Sequence, residues 1–328
     1  MSDPVAALVC LPVDGIGEVA AGADLAVLLL RATGPGGIAD GDVVVVTSKA
    51  VSKAEGRVLA GSREDALAEE TDRTVARRGG TSIVRTRHGL VLAAAGIDAS
   101  NTAAGTVVLL PRDPDGSARR LREDLAARAG VNVAVVVTDT AGRAWRTGQT
   151  DIAVGAAGLQ PLDDHTGRTD PHGHELAVTA PAVADELAAA ADLVKRKLDR
   201  RPAALVRGLS GIVLPRGDHG PGAAALVRPE ASDRFGLGAR EAVLAALHGR
   251  SGRGFGAPCP DGELVQELRV LAGPPTVVRR EGGAVLAVLG GPDRDRGAVE
   301  ARLRAAAFAL GWRGEPGADP LRFVPATP

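Results

Sequence analysis

Residues 132–155 read NVAVVVTDTAGRAWRTGQTDIAVG, and the first half of that stretch sets the fold class. Val133, Val135, Val136 and Val137 form an apolar, β-branched run that stops at Thr138-Asp139-Thr140. Short runs of this kind are buried strands of α/β proteins, and ligands collect beyond the carboxyl ends of such strands. The reading is a strand ending near Thr138, then a Gly-punctuated loop carrying Arg143, Trp145, Arg146, Gln149 and Asp151. A carboxylate beside hydroxyls and two guanidinium groups suits a metal ion and an anionic substrate. An ordinary solvated loop accounts for the same residues equally well.

Working outward, three more loops carry chemistry-bearing residues. Asp98 follows a predicted strand over 90–95 and precedes Ser100 and Asn101, which repeats the local order around Asp139. Two such aspartates could share hard divalent cations, and a pair of ions roughly 3.5–4 Å apart would clamp a transferring phosphoryl group. An Asx-type turn explains Asp98 on its own. The segment Thr47 to Lys53 holds Lys49 and Lys53, two of only four lysines among 39 basic residues. A lysine offers a compact charge suited to a phosphate, although chance survival in an Arg-rich composition leaves the same pattern. The loop Asp14-Gly15-Ile16-Gly17-Glu18-Val19 could bring backbone N–H groups to a phosphate or base. It is neither a full GxGxxG nor a Walker loop, and a tight turn reads as well. A fourth polar stretch, 162–174, holds His165, His172 and His174 with three aspartates, at spacings that fit no standard zinc pattern.

The remaining pattern alternates strand and helix. Strands are expected over 5–13, 43–47, 82–86, 90–95, 106–110, 203–207 and 211–214. Helices are expected over 24–31, 63–78 (capped by Ser62), 117–129 and 180–198 (capped by Thr179). The tail adds a helix over 240–248, a Gly/Pro-rich connector over 249–262, an apolar segment over 264–271, a strand over 284–289 and a helix over 298–310. This describes an α/β (α+β) chain with a main domain over 1–240 and a small C-terminal α/β region over 251–328. Apolar residues make up 45%, with no Tyr, four Phe and two Trp, so Ala, Val and Leu must do the packing. A net charge of −1 argues against a nucleic-acid binder working through a basic field. Cys10 and Cys259 supply no disulfide framework. No apolar run approaches membrane-spanning length and the first residues lack a basic leader, so a soluble, cytoplasmic protein without a membrane partner is expected.

Four segments taken together carry a resemblance. VVVVTSKAVSKAEGR (43–57), TRHGLVLAAAGIDASNT (86–102), VVVTDTAGRAWRTGQTDIAVG (135–155) and ADELAAAADLVKRKLDRRPAALVRGL (184–209) resemble the coenzyme F420-0:γ-glutamyl ligase family. The likeness runs from about Leu11 to Gly211. It implies a GTP-dependent enzyme that adds L-glutamate to a deazaflavin precursor, with a mixed-sheet ligase domain in an intertwined homodimer. It further implies that Ile16, Gly17, Glu18, Val19, Ser48 and Lys53 contact GTP, with Asn101 on the nucleotide. Asp98 and Asp139 would ligate divalent metal and Thr140 a second ion, with Mg2+ or Mn2+ as the two ions and K+ as a further candidate. Asp98, Asp139 and Lys53 would then be the catalytic set. Gln149, Asp151 and Arg207 fall in matching motifs without an assigned role.

The chain departs from the family pattern in places. Gly17 stands where a proline is common, and Leu92-Ala93-Ala94-Ala95 replaces a Cys-Ala-Asn-Ala stretch. The tail is too short for the flavin-binding, nitroreductase-like half of some relatives, so ligase activity without reductase is expected. A metal-dependent phosphohydrolase and a non-catalytic nucleotide- or cofactor-binding protein are the alternative readings.

Overall fold

Four consecutive valines, Val43 to Val46, build the middle of the structure. The computed structural model describes residues 7–99, 102–233, 235–249 and 255–326. The expected role of Asn101 therefore lies outside the described residues. In chain order the first elements are β1 (Val9–Val13), α1 (Leu25–Thr33), β2 (Val43–Thr47), α2 (Ser48–Ala54), β3 (Val58–Ala60), α3 (Arg63–Glu70), β4 (Thr71–Arg78) and β5 (Thr81–Thr86). There follow β6 (Val91–Ala93), β7 (Thr106–Val108), α4 (Pro114–Ala129), β8 (Ala134–Arg143), β9 (Arg146–Ala157), α5 (Val183–Lys195) and β10 (Ala203–Arg207). The chain divides into two compact units, one of residues 1–74 and 83–227, the other of 75–82 and 228–328.

The first unit is organised by a five-stranded sheet in the order β1-β10-β2-β8-β9. It is mixed: β2 and β8 run parallel, while the other neighbours pair antiparallel. Alternation along β2 and β8 serves two cores at once. Val44, Val46, Val135 and Val137 pack with Leu29 of α1 and Leu121 and Leu125 of α4. Val43, Val45 and Val136 pack on the other face with Ala184, Leu187 and Ala191 of α5. Burying such side chains is worth about 1.5–3 kcal/mol each, which is how a chain without tyrosine holds a core. At the entry to β2, Arg207 grips Asp42 through two hydrogen bonds of 2.8 Å each, closing the sheet at that end.

The second unit has its own core. Helices α6 (Ala239–His248), α7 (Asp261–Ala272) and α8 (Asp293–Ala309) accompany strands β11 (Val277–Glu281), β12 (Ala284–Val288), β13 (Trp312–Gly314) and β14 (Leu321–Pro325). The strands form an antiparallel sheet in the order β11-β12-β14-β13. Leu264 and Leu268 of α7, Leu303 of α8, Trp312 and Phe323 are buried together. Among the described residues no helix is long and apolar enough to cross a membrane.

Several elements differ from the sequence expectation for identifiable reasons. The helix expected over 63–78 stops at Glu70, and Thr71–Arg78 is a strand turning through Gly79-Gly80 into β5. A Gly-Gly pair between β-branched runs is a hairpin signal, and it prevails over the helix-like order of charges. The strand expected over 90–95 shortens to Val91–Ala93, because Ala94 and Ala95 take positive φ values of 49° and 55°. The strand expected over 211–214 is a 3-10 turn at Ser210–Ile212 followed by a single bridge between Val213 and Leu159. The apolar segment over 264–271 is the inner face of α7, and the helix over 180–198 begins only at Val183. The largest revision concerns the stretch after Thr138, which is no loop. Strands β8 and β9 continue as one hairpin to a tip at Ala144-Trp145. Its polar outer half projects into solvent, so it carries no apolar alternation to betray it.

Candidate active site

The register of the one parallel pair builds the centre of the site. Thr47 lies opposite Thr138, so Ser48, just past the end of β2, comes beside Asp139, which sits part-way along β8 where its parallel partner stops. Ser48, buried at the start of α2, donates its hydroxyl to Asp139 Oδ1 at 3.2 Å. Asp98 arrives from another direction. The positive-φ turn at Ala94–Gly96 ends β6, and Asp98 then forms a two-bond bridge with Val108. Gly96 is required there: it adopts φ +70°, and a Cβ would lie 3.1 Å from Asp139 Oδ2. Lys49 of α2 pairs with Asp98 at 2.5 Å, and Lys197 stands 4.0 Å from the same oxygen.

Asp139 is electrostatically unusual. Withdrawal from water, opposed by the Ser48 hydroxyl and reinforced by the charges of Asp151 and Asp98, lifts its carboxyl to about 7. Asp151 belongs to the opposite face of the hairpin, where it lies across from Thr140. It is 3% exposed and accepts hydrogen bonds of 2.8 Å from each of the hydroxyls of Thr138 and Thr140. Lys195, at the last turn of α5 and 4% exposed, donates to Asp151 Oδ2 at 2.6 Å and to Thr138 Oγ1 at 2.8 Å. Asp151 is thus neutralised from within the protein, whereas the charge of Asp139 is offset by the Ser48 hydroxyl and the Thr140 backbone.

These donors suit one kind of ion. Asp98, Asp139 and Ser48 are all oxygen donors, the chemistry of hard divalent cations, while the Thr140 hydroxyl, also an oxygen donor, lies on the other face of the hairpin with Asp151. Among the described residues no three His, Cys, Asp or Glu side chains gather closely enough to hold a metal alone. Two of the three histidines of 162–174 instead pair within their loop, His165 with Asp163 and His174 with Asp170.

A cavity of about 580 Å3 is lined in part by Glu18, Val19, Lys53, Gly56, Val58 and Thr106. The loop 14–22 reaches it because Gly22 bonds to the carbonyl of Ala54 at the end of α2. Ile16 and Val19 turn their side chains into the core, so they offer a ligand chiefly backbone. Glu18 is exposed and pairs with Lys53. Gly15 and Gly17 adopt φ values of 81° and 75°, which a proline at Gly17 could not share.

The family described as F420-0:Gamma-glutamyl ligase matches residues 15–68 and 62–208, more than half of the chain. The chain belongs to that family. It is 41% identical over 221 residues to a coenzyme F420:L-glutamate ligase of Methanothermobacter thermautotrophicus, covering 60% of this chain and 87% of that protein. It is 38% identical to the enzyme of the same name from Archaeoglobus fulgidus, over 61% of this chain and 87% of the relative. A Halobacterium salinarum relative, likewise called coenzyme F420:L-glutamate ligase, is 43% identical over 57% of this chain and 81% of its own length. The ligase match lies mostly within the first unit, crossing residues 75–82 of the second, and includes every segment that supplies the site.

Within this ligase the structure brings Ser48, Asp98, Asp139 and Lys49 into one cluster, and Glu18, Val19 and Lys53 into the cavity wall. Arg207 is not among them; it is a structural clasp on Asp42 at the other end of β2. Arg143 and Arg146 flank the hairpin tip, where Trp145 is 82% exposed, and Gln149 is exposed beside them. Sequence reasoning missed Lys49, Lys195 and Lys197 as partners of the carboxylates. The available signal was composition: an Arg-rich chain keeps four lysines, and all four pair with acidic side chains in this region.

Proposed function

We propose that this ligase joins the amine of L-glutamate to the terminal carboxylate of the deazaflavin F420-0, with GTP as the phosphoryl donor and a divalent ion as cofactor. The observation that carries the reading is the Ser48–Asp139 pair, formed where β2 ends beside the continuing β8, in a chain of this family. In the reaction the F420-0 carboxylate attacks the γ-phosphorus of GTP, breaking its bond to GDP and giving an acyl phosphate. The glutamate amine then attacks the acyl carbon, phosphate leaves with the bonding pair, and the amine proton passes to solvent.

Phosphoryl transfer asks a protein mainly for positioning and charge neutralisation. Asp98, Asp139 and Thr140 would hold the ions, which when bound neutralise phosphate charge. Lys53, on the cavity wall, would release Glu18 and offset the charge of the nucleotide, while backbone of Ile16 to Val19 approaches it. Arg143 or Arg146 would take a substrate carboxylate in a two-point grip. Unchanged glutamate affinity after replacing either by alanine would remove that assignment. The homodimer belongs to the same reading and is checked by sedimentation.

One assay decides the function. The protein, GTP, Mn2+, F420-0 and glutamate should yield a deazaflavin heavier by one glutamyl unit, together with GDP and phosphate. GTP loss without that species would instead support a phosphohydrolase. GTP binding without turnover would support a non-catalytic binding protein.

A further inference from the structure

Asp151 and Lys195 have no part in the reaction as written, yet they close a polar cluster immediately behind it. Lysine can only donate hydrogen bonds and an ionised aspartate can only accept them. Lys195 Nζ donates to Thr138 Oγ1 at 2.8 Å and to Asp151 Oδ2 at 2.6 Å. Thr138, having accepted from the lysine, gives its own proton to Asp151 Oδ2 at 2.8 Å. Asp151 Oδ1 remains for Thr140, whose hydroxyl donates to it at 2.8 Å. Both threonine hydroxyl protons in the cluster therefore have one direction. The Thr140 hydroxyl proton points to Asp151, and its oxygen offers only lone pairs to whatever reaches this exposed residue from solvent.

We propose that Asp151 and Lys195 are positioning residues that fix the Thr140 hydroxyl as a pure acceptor toward a bound divalent cation. This rests on the reading that Thr140 holds one of the ions. Partners behind a metal ligand commonly orient it in this way, and their loss weakens metal binding about 10–100-fold. A buried ion pair serving stability alone would have no such effect on the ion.

Mn2+ binding to the full chain, followed by titration calorimetry without nucleotide, tests the proposal. In Asp151→Asn the lysine claims the amide oxygen, so the amide NH2 faces Thr140 and turns its proton outward. Mn2+ affinity should fall about 10–100-fold. Adding Lys195→Met frees the amide to flip and should restore affinity to within several-fold of the wild type. Should Asp151→Asn fail to fold, the apolar pair Asp151→Leu with Lys195→Met replaces it, since such exchanges of buried ion pairs are often tolerated. That variant leaves Thr140 without its acceptor and should bind Mn2+ more weakly. Wild-type affinity in folded Asp151→Asn or in the apolar pair overturns the proposal, as does absence of rescue. Thr140→Val separates the two levels: if it too binds Mn2+ like the wild type, the metal role of Thr140 fails with it.

Discussion

Asp139 meets two opposed demands, since a carboxylate must be charged to hold a cation but is costly to keep charged out of water. Burial lifts the carboxyl to about 7 from an ordinary 3.8, so the protonated form prevails only below neutral pH. The folded state thus retains a proton that the unfolded chain gives up earlier. The stability this contributes is full below about pH 4 and lost as pH rises through about 7. Mn2+ binding should consequently release close to one proton at pH 6 and almost none at pH 8. Calorimetry in buffers of different ionisation enthalpy reads that number directly, and pH-independent release would contradict the assignment. Asp139→Asn keeps the volume and removes the charge, so Mn2+ affinity should drop by more than about 100-fold and turnover with it. Near-normal turnover would exclude Asp139 as a ligand. At this scale the two aspartates stood out as candidates in the sequence by their neighbouring hydroxyls, although Asp139 lies within β8 and does not follow it. The pairing of Lys195 with Asp151 was not legible there, since the two are 44 residues apart and meet only through packing.

The β8–β9 hairpin shows how an element serves both stability and the site. A bulge between Val137 and Thr138 shifts the pairing with β9 where the apolar run gives way to polar residues. Bulges of this kind often re-aim side chains beside active sites. The inner half of β9 lies against α4 so closely that a Cβ at Gly155 would sit 2.3 Å from the carbonyl oxygen of Pro114. Gly155→Ala should cost about 1–3 kcal/mol in a chemical unfolding experiment, and a neutral result would mean the strand can shift away from α4. Apolar runs that touch two cores, as in β2 and β10, were readable to the residue. The outer hairpin was not, because it is wet on both sides and lacks the alternation that marks a half-buried strand. The helix misread past Glu70 failed for a related reason: its charges fit a helix dipole, and the decisive Gly79-Gly80 turn lay beyond them.

At the scale of the whole molecule, each unit closes its own core, and the family match lies across the first. Phe323 is fully buried in the second. Phe323→Ala should lose about 3–5 kcal/mol from that unit while leaving Mn2+ affinity unchanged within two-fold. A matching loss of metal affinity would show that the ligase site depends on the second core. The scarcity of lysine has a practical consequence. An amine-reactive reagent ordinarily decorates a protein surface at random, but here every ε-amine sits against a carboxylate around the site. Lys197 is the accessible one, with 65% of its side chain exposed, whereas Lys49 and Lys53 are mostly shielded. Mild acylation read by mass spectrometry should label Lys197 ahead of the others, and nucleotide with Mn2+ should change the labelling of Lys49 and Lys53. General amine chemistry thereby becomes a local reporter, able to follow occupancy of this site without any engineered label.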